Sequence, residues 1–251
     1  MSFNITSDQG VVTFTITRPE VRNAVNHEVM EGLEQFIAQI EQNKSVKWGV
    51  ITSAGGKAFC SGGDLSEFHV LETSAQALPM LSRMTELLYR LATLPVPTLA
   101  LMDGAAVGGG CEIAAACDYR LMKSGVKAGF IQGTLAITTG WGGASLLYEK
   151  ESGHSHVLQL LTRAQLHTAE ALAKWGWITE LYEDDKQAAL DQFLAKFANI
   201  ESDVLRAYKA IAVRKWEQSD LKSRMMEECN QCSILWESEA HHAAVRQFRN
   251  R

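Results

Sequence analysis

Strand-like and helix-like hydrophobic patterns alternate along the first half of this 251-residue chain. Residues 10–17 alternate apolar and polar side chains, which predicts a strand, and apolar residues then recur at helical spacing from Val29 to Ile40. The pattern continues with strands predicted at 48–52, 98–102 and 119–122 and a helix predicted at 78–91. Strands separated by crossover helices form a buried, largely parallel sheet, so the sequence predicts the α/β class.

From about Ala169 the pattern changes to helices alone. Helices are predicted at 169–177, 186–198, 203–216, 221–236 and 239–248. The sequence therefore predicts a core at 1–168 and a C-terminal helical region at 169–251. This region is expected to cover either the core or a neighbouring subunit.

Composition and charge exclude several classes of partner. The net charge of −5 argues against a broad nucleic-acid or membrane surface. The five cysteines are odd in number and mostly within apolar segments, as is typical of reduced thiols in a cytoplasm. The N-terminus has no basic segment followed by an apolar stretch, and no window approaches a membrane span. We expect a cytoplasmic protein without nucleic-acid, membrane or metal partners.

Two glycine-rich segments follow predicted strands and precede helices. We call residues 61–64 (SGGD) the first glycine turn and residues 108–110 (GGG) the second. Ligands of parallel sheets bind where strand ends meet helix starts, and glycine lets the backbone approach them closely. The first amides of a helix are unpaired and favour negative oxygen. Two such amides can hold one carbonyl oxygen as an oxyanion hole does, so we expect the chain to stabilise an enolate.

A carboxylate follows the second glycine turn directly. Glu112 lies two residues after Gly110, inside an apolar segment. Apolar surroundings raise the proton affinity of a carboxylate, which suits acid and base chemistry near neutral pH. Glu112 is therefore the predicted group that moves a proton beside the carbonyl.

Five segments carry a family resemblance. They are residues 18–26 (RPEVRNAVN), 58–65 (AFCSGGDL), 103–112 (DGAAVGGGCE), 116–118 (ACD) and 140–143 (GWGG). In order and spacing they resemble the signatures of the crotonase superfamily, the enoyl-CoA hydratase/isomerase family, over nearly the whole chain. The resemblance implies a spiral of ββα units with a C-terminal helical region, and trimers that often pair into hexamers. It also implies an acyl-CoA thioester as substrate, so that coenzyme A enters with the substrate and no separate cofactor is expected.

The same resemblance implies roles for individual residues. Gly63 and Gly109 would donate the two oxyanion-hole amides, and Glu112 matches the first of two glutamates that hydratases of the family use. The expected substrate contacts are Glu20, Val21 and Arg22 along the coenzyme A arm, Asp64 and Leu65 beside the acyl pocket, and Trp141. Trp141 would either wall the acyl pocket or anchor its loop in the core.

Gln132 occupies the position of the second family glutamate. A glutamine orients a substrate or a water by hydrogen bonds, but it cannot deliver a proton at pH 7. No Asp or Glu lies between Asp118 and Glu149, so a second acid would come from a distant segment. The candidates are Glu67, His69 and Glu72, although each fits a surface position better.

One catalytic glutamate favours a lyase or isomerase over a hydratase. We expect double-bond isomerisation or decarboxylation of an acyl-CoA, and the segment around Trp141 and the helix ending near Trp236 look closest to decarboxylating members of the family. Two alternatives stay open at this point: a hydratase with its second acid supplied elsewhere, and a non-catalytic scaffold that binds acyl-CoA. His241 and His242 are expected on a helix surface.

Overall fold

A computed structural model describes residues 1–249 of the chain, so Asn250 and Arg251, the end of the predicted helical region, lie outside the described residues. Its strands are β1 (Phe3–Asp8), β2 (Val11–Ile16), β3 (Trp48–Ser53), β4 (Ala58–Cys60), β5 (Thr98–Met102), β6 (Ala105–Val107), β7 (Tyr119–Lys123), β8 (Lys127–Gly129), β9 (His167–Thr168) and β10 (Glu180–Tyr182). Its helices are α1 (His27–Gln42), α2 (Leu65–Phe68), α3 (Ser74–Ala92), α4 (Gly109–Ala116), α5 (Gly143–Lys150), α6 (His154–Thr162), α7 (Ala169–Lys174), α8 (Lys186–Ala195), α9 (Ser202–Gln218), α10 (Leu221–Trp236) and α11 (Glu239–Arg249).

These strands form two sheets. Across residues 1–249, the larger sheet has six strands in the order β1-β2-β3-β5-β7-β10, and the smaller has four in the order β4-β6-β8-β9. All neighbours are parallel except β1 with β2 and β8 with β9. The chain passes from one sheet to the other through β3 and β4, again through β5 and β6, and again through β7 and β8. The predicted α/β class with a largely parallel sheet is confirmed.

Burial explains why the long elements were predictable. Val12, Phe14 and Ile16 of β2 are buried on one face, and all six residues of β3 are buried. Helix α1 presents one apolar stripe to the core, and the Asn26 side chain caps it by accepting a hydrogen bond from Val29 N at 3.0 Å.

The region after Ala169 differs from its prediction. It was expected to contain helices only, but β10 lies there and extends the larger sheet beside β7. A strand of three residues is too short for its alternating pattern to be recognised. The strands β4, β6 and β8 were not predicted for the same reason. The first helix of the region ends at Lys174 rather than 177, because Gly176 takes a left-handed conformation with φ +82°.

Helix α10 packs on α3 and α5 of the same chain. Its Met225 and Cys229 belong to the same apolar cluster as Leu81 and Met84 of α3. The boundary at 168 and 169 stays a prediction. Within residues 1–249, no helix combines the length and the apolarity that crossing a bilayer requires.

Candidate active site

The two glycine turns lie side by side. The first follows β4, the second follows β6, and these strands are parallel neighbours. Gly62 has φ +95°, and a Cβ built on it would lie 3.2 Å from Gly109 N. A side chain at this position would therefore be strained by its backbone conformation and would crowd the second turn, which explains the glycine.

One amide of each turn is free to bind a ligand. Among residues 1–249, neither Gly63 N nor Gly109 N donates a hydrogen bond to a protein acceptor. Adjacent amides are paired: Asp64 N donates to Val25 O and Gly108 N to Gly129 O, both at 2.9 Å. Because backbone amides of a folded protein are rarely left unpaired, these two, on the half-buried Gly63 and the buried Gly109, are suited to receive an oxygen of a ligand.

A cavity of about 720 Å³ opens at the two turns. Every residue predicted to form the site lines it: Glu20, Val21, Arg22, Gly63, Asp64, Leu65, Gly109, Glu112, Gln132 and Trp141. The first three lie at its exposed mouth. Trp141 lies inside, 4% exposed, and a Cβ built on Gly63 or Gly109 would lie 3.6 or 2.2 Å from its indole ring. The sequence-distant segments therefore meet at one cavity, with the indole against both Gly63 and Gly109.

The carboxyl group of Glu112 is buried and held by three donors. Its Oε1 accepts from Gln132 Nε2 at 3.0 Å, and its Oε2 accepts from Trp141 N and Gly143 N at 2.9 Å each. Burial raises the pKa of Glu112 to about 8, with the nearby Glu228 carboxylate adding to the rise and the three donors opposing it. Glu112 is therefore mainly protonated at pH 7 and is suited to act as an acid.

Gln132 supports Glu112 and brings no second acid. It starts the 3₁₀ turn Gln132–Leu135 and is buried, with its Nε2 directed at Glu112. The other acidic side chains that line the cavity are occupied or remote. Asp64 forms an ion pair with Arg18 at 2.8 Å and caps α2 through Ser66 N, while Glu20 lies at the exposed mouth. Along the described part of the chain, Glu112 is thus the one carboxyl group lining the cavity that is both buried and outside an ion pair.

The candidates for a distant second acid do not reach the cavity. Glu67 and Glu72 are exposed, and His69 Nδ1 donates to Leu65 O within its own helix turn. None of the three lines the cavity.

The expectation that His241 lies on a helix surface is wrong. Its side chain is 3% exposed and lines the cavity, because α11 folds back over the 3₁₀ turn at Gln132–Leu135. Its Nδ1 lies 2.7 Å from Leu135 O, and burial lowers the pKa of the imidazole, which keeps it neutral. The sequence gives no signal for a contact between residues 106 positions apart.

Sequence reasoning also missed Glu228. This residue of α10 lies on the buried stripe formed by Leu221, Met225 and Cys232, at helical spacing. A charged residue on the apolar stripe of a helix is rare unless it is paired. The position of Glu228 on such a stripe is therefore the feature by which the sequence could have pointed to it. Glu228 accepts hydrogen bonds from Thr139 and Ala144, which flank the residues whose amides bind Glu112.

The raised pKa of Glu112 predicts a pH-dependent stability. The folded chain keeps this proton up to about pH 8, whereas the unfolded chain loses it near 4.5, so the free energy of unfolding falls as pH rises between these values. We expect Glu112→Gln to remove this fall, which amounts to at most about 1.4 kcal/mol per pH unit. Urea denaturation at pH 5.5, 6.5 and 7.5 measures it, with the exposed Glu67→Gln as control. Parallel curves for wild type and Glu112→Gln would contradict the assignment.

Comparisons with known proteins agree with this geometry. The enoyl-CoA hydratase/isomerase family profile matches residues 6–249. The ethylmalonyl-CoA decarboxylase of Xenopus tropicalis is 33% identical over 215 residues, which cover 84% of this chain and 71% of that protein. The mitochondrial methylglutaconyl-CoA hydratase of Mus musculus is 31% identical over 180 residues, or 72% of this chain and 57% of that protein.

Solved structures show the same fold. An enoyl-CoA hydratase from Mycobacterium avium subsp. paratuberculosis K-10 superimposes with a TM-score of 0.87 at 23% identity, over 100% of this chain and 96% of that one. This likeness confirms the predicted crotonase-like fold. Together with the profile match and the ordered motifs, it establishes that the chain belongs to the enoyl-CoA hydratase/isomerase family of the crotonase superfamily.

Proposed function

We propose that the protein decarboxylates a malonyl-type acyl-CoA thioester. The amides of Gly63 and Gly109 hold the thioester oxygen as carbon dioxide leaves, and Glu112 then protonates the enolate. The observation that carries the proposal is that, among the described residues, one buried carboxyl group lining the cavity, that of Glu112, is free of an ion pair, and it is bonded to Gln132 where a second glutamate would be required for hydration.

The protonation state of Glu112 separates decarboxylation from the other reactions of the family. Loss of carbon dioxide breaks a carbon–carbon bond, leaves an enolate and then needs one proton. Double-bond isomerisation first needs a base, and with a pKa of about 8 only the smaller, ionised fraction of Glu112 can act as one at pH 7, whereas the larger, protonated fraction is ready to act as an acid. Hydration uses two proton-transfer groups in this family. Decarboxylation is therefore the reaction that this site supports best.

The remaining lining residues fit a coenzyme A thioester of small acyl size. Arg22 and Lys57 at the mouth supply cations for the phosphates of coenzyme A. Leu65 and Trp141 border the acyl end, where the indole ring against Gly63 and Gly109 restricts the room beside the reacting carbon. The similarity to the ethylmalonyl-CoA decarboxylase supports a carboxylated acyl group with a short branch.

A panel of assays tests this function. Carbon dioxide release from malonyl-, methylmalonyl- and ethylmalonyl-CoA should be compared with hydration of crotonyl-CoA and isomerisation of a 3-enoyl-CoA. We expect decarboxylation to have the highest kcat/KM. Rapid crotonyl-CoA hydration without decarboxylation would favour the hydratase alternative, for which the similarity to the methylglutaconyl-CoA hydratase speaks. Tight calorimetric binding of acyl-CoA without any product would favour a scaffold.

Gln132→Glu tests why the second carboxylate is replaced. A glutamate here would lie beside Glu112, at the 3.0 Å contact now made by Gln132 Nε2, and would supply the missing acid. We expect crotonyl-CoA hydration to rise at least about tenfold while decarboxylation falls. The matched control Gln76→Glu changes an exposed glutamine outside the cavity. If the rate of hydration stays unchanged, Gln132 does not stand in the place of a hydratase's second acid.

Assembly and location are further proposals. We propose a homotrimer or homohexamer and a cytoplasmic location, both from the family resemblance and the composition. Light scattering during size-exclusion chromatography tests the assembly, and a monomer would contradict it.

A further inference from the structure

Glu228 holds both ends of the turn at residues 140–143, which we call the GWGG turn. Its Oε1 accepts from Thr139 Oγ1 at 2.5 Å and from Ala144 N at 3.1 Å. Its Oε2 accepts from Ser145 N and Ser145 Oγ, both at 2.7 Å. Thr139 precedes the turn and Ala144 follows it, so one carboxylate on α10 fixes the turn from behind.

Glu112 holds the same turn from the cavity side, through Trp141 N and Gly143 N. The GWGG turn is therefore placed between the carboxyl group of the buried Glu112 and that of the half-buried Glu228. Neither carboxyl group forms an ion pair within residues 1–249. Two acidic groups that share one low-dielectric site do not both ionise readily, so their titrations are coupled.

Other charges near the pair are engaged elsewhere. On α5, Glu149 pairs with Arg224 and with Lys215 of α9, while Lys150 donates to the carbonyl groups that end α4. On α3, Glu86 pairs with Lys222, and Arg83 and Arg90 pair with glutamates of α1. The uncharged titratable groups nearby are the thiols of Cys111, Cys229 and Cys232, whose pKa values burial raises, and the neutral His241.

The hydrogen bonds indicate which carboxyl group keeps the proton. Glu228 accepts four hydrogen bonds, two of them from amides in the first turn of α5, where the helix dipole also favours negative charge. Glu112 accepts three and faces the apolar cavity. Burial raises the pKa of Glu228 too, but its four hydrogen bonds oppose the rise, so negative charge is better accommodated on Glu228 and the proton belongs to Glu112.

Gln132 is suited to a protonated Glu112. Because Glu112 Oε2 accepts two amides, its proton lies on Oε1, which faces Gln132. The buried Oε1 of Gln132 has no partner among the described residues. Turning the amide by 180° brings this oxygen to Glu112 Oε1, where it accepts the carboxyl hydrogen, and leaves Nε2 in the position without a partner, so Gln132 can pair with Glu112 in either protonation state.

We propose that Glu228 is a positioning residue that fixes the GWGG turn from behind, places a negative charge there and thereby, together with burial, favours the neutral carboxyl form of Glu112. The consequence of this role for catalysis rests on the proposed decarboxylation. As carbon dioxide leaves, the electron pair of the broken carbon–carbon bond becomes the enolate. The enolate carbon takes the proton from Glu112 Oε1, and the resulting carboxylate regains a proton from solvent.

Titration of Glu112 by ¹³C NMR tests the proposal without substrate, with Glu112→Gln assigning the signal. The pKa is expected to be about 8 in the wild type and to fall by about one unit or more in Glu228→Gln. Glu228→Asp keeps the charge and should keep the raised value. Ser145→Ala removes a neutral hydrogen bond and should not lower it. An unchanged titration in Glu228→Gln would overturn the proposal.

Two further readouts separate this proposal from the proposed function. The high-pH limb of kcat/KM for decarboxylation should move to lower pH in Glu228→Gln by the same amount as the NMR titration. A shifted titration in a protein that decarboxylates nothing would reject the function and keep the role of Glu228. If Glu228→Gln does not fold, the ¹³C carboxyl signals of Glu112 and Glu228 in the wild type provide the test. Each titration curve should then also show an inflection at the pKa of the other carboxyl group. Two independent titration curves would overturn the proposal.

Discussion

Glu112→Gln is expected to lower kcat for decarboxylation about 100-fold or more, because a positioned general acid contributes roughly 10² to 10⁴. The glutamine can keep the hydrogen bonds from Trp141 N and Gly143 N through its carbonyl oxygen, so the pocket should stay intact. Binding of acyl-CoA should therefore change little. Carbon dioxide release measures the rate, and calorimetry measures the binding.

Glu72→Gln is the matched control for this prediction, since Glu72 is exposed and lies outside the cavity. Its rate should equal that of the wild type. A loss of less than tenfold in Glu112→Gln would mean that another group or solvent supplies the proton, and the assignment of Glu112 as the acid would be wrong.

Gly109→Ala is expected to lower kcat/KM by about 10² to 10³, which is the usual effect of losing one oxyanion-hole donor. A Cβ at this position would lie 2.2 Å from Cζ3 of Trp141, so either the indole or the Gly109 amide must move. Displacement of the amide removes one of the two hydrogen bonds proposed to hold the thioester oxygen. Initial rates at low substrate concentration measure the effect.

Gly176→Ala is the control for the general effect of replacing a glycine by alanine. A Cβ at Gly176 meets no heavy atom within 4 Å, and its φ of +82° gives only backbone strain. This variant should lose some stability and keep its kcat/KM. Combining Gly109→Ala with Trp141→Leu removes the indole and should recover part of the activity. Wild-type activity in Gly109→Ala alone would show that its amide does not bind the thioester oxygen.

The parts of the fold that the sequence predicts are those set by local pattern. The alternation in β2 and the apolar stripe of α1 both reflect burial of one face, and burial is what the periodicity records. The glycine turns were recognisable for a similar reason, since Gly62 has a backbone conformation and a close neighbour that exclude a side chain.

The parts that could not be predicted depend on contacts across the chain. His241 reaches the cavity only because α11 folds over a 3₁₀ turn that lies far earlier in the sequence. The bonds of Glu228 to Thr139 and Ser145 span more than 80 positions, so no local spacing links them to Glu112. Such contacts arise from how the C-terminal helices pack on the core. Helical periodicity shows which face of a helix is buried, but it does not show which residues that face contacts.

A crystal structure with an unreactive coenzyme A thioester analogue tests the oxyanion hole most directly. The thioester oxygen is expected about 2.7–3.1 Å from both Gly63 N and Gly109 N, with the reacting carbon beside Glu112. An oxygen bound away from either nitrogen, or a thioester seated outside the cavity, would contradict the central claim that these two amides hold the enolate.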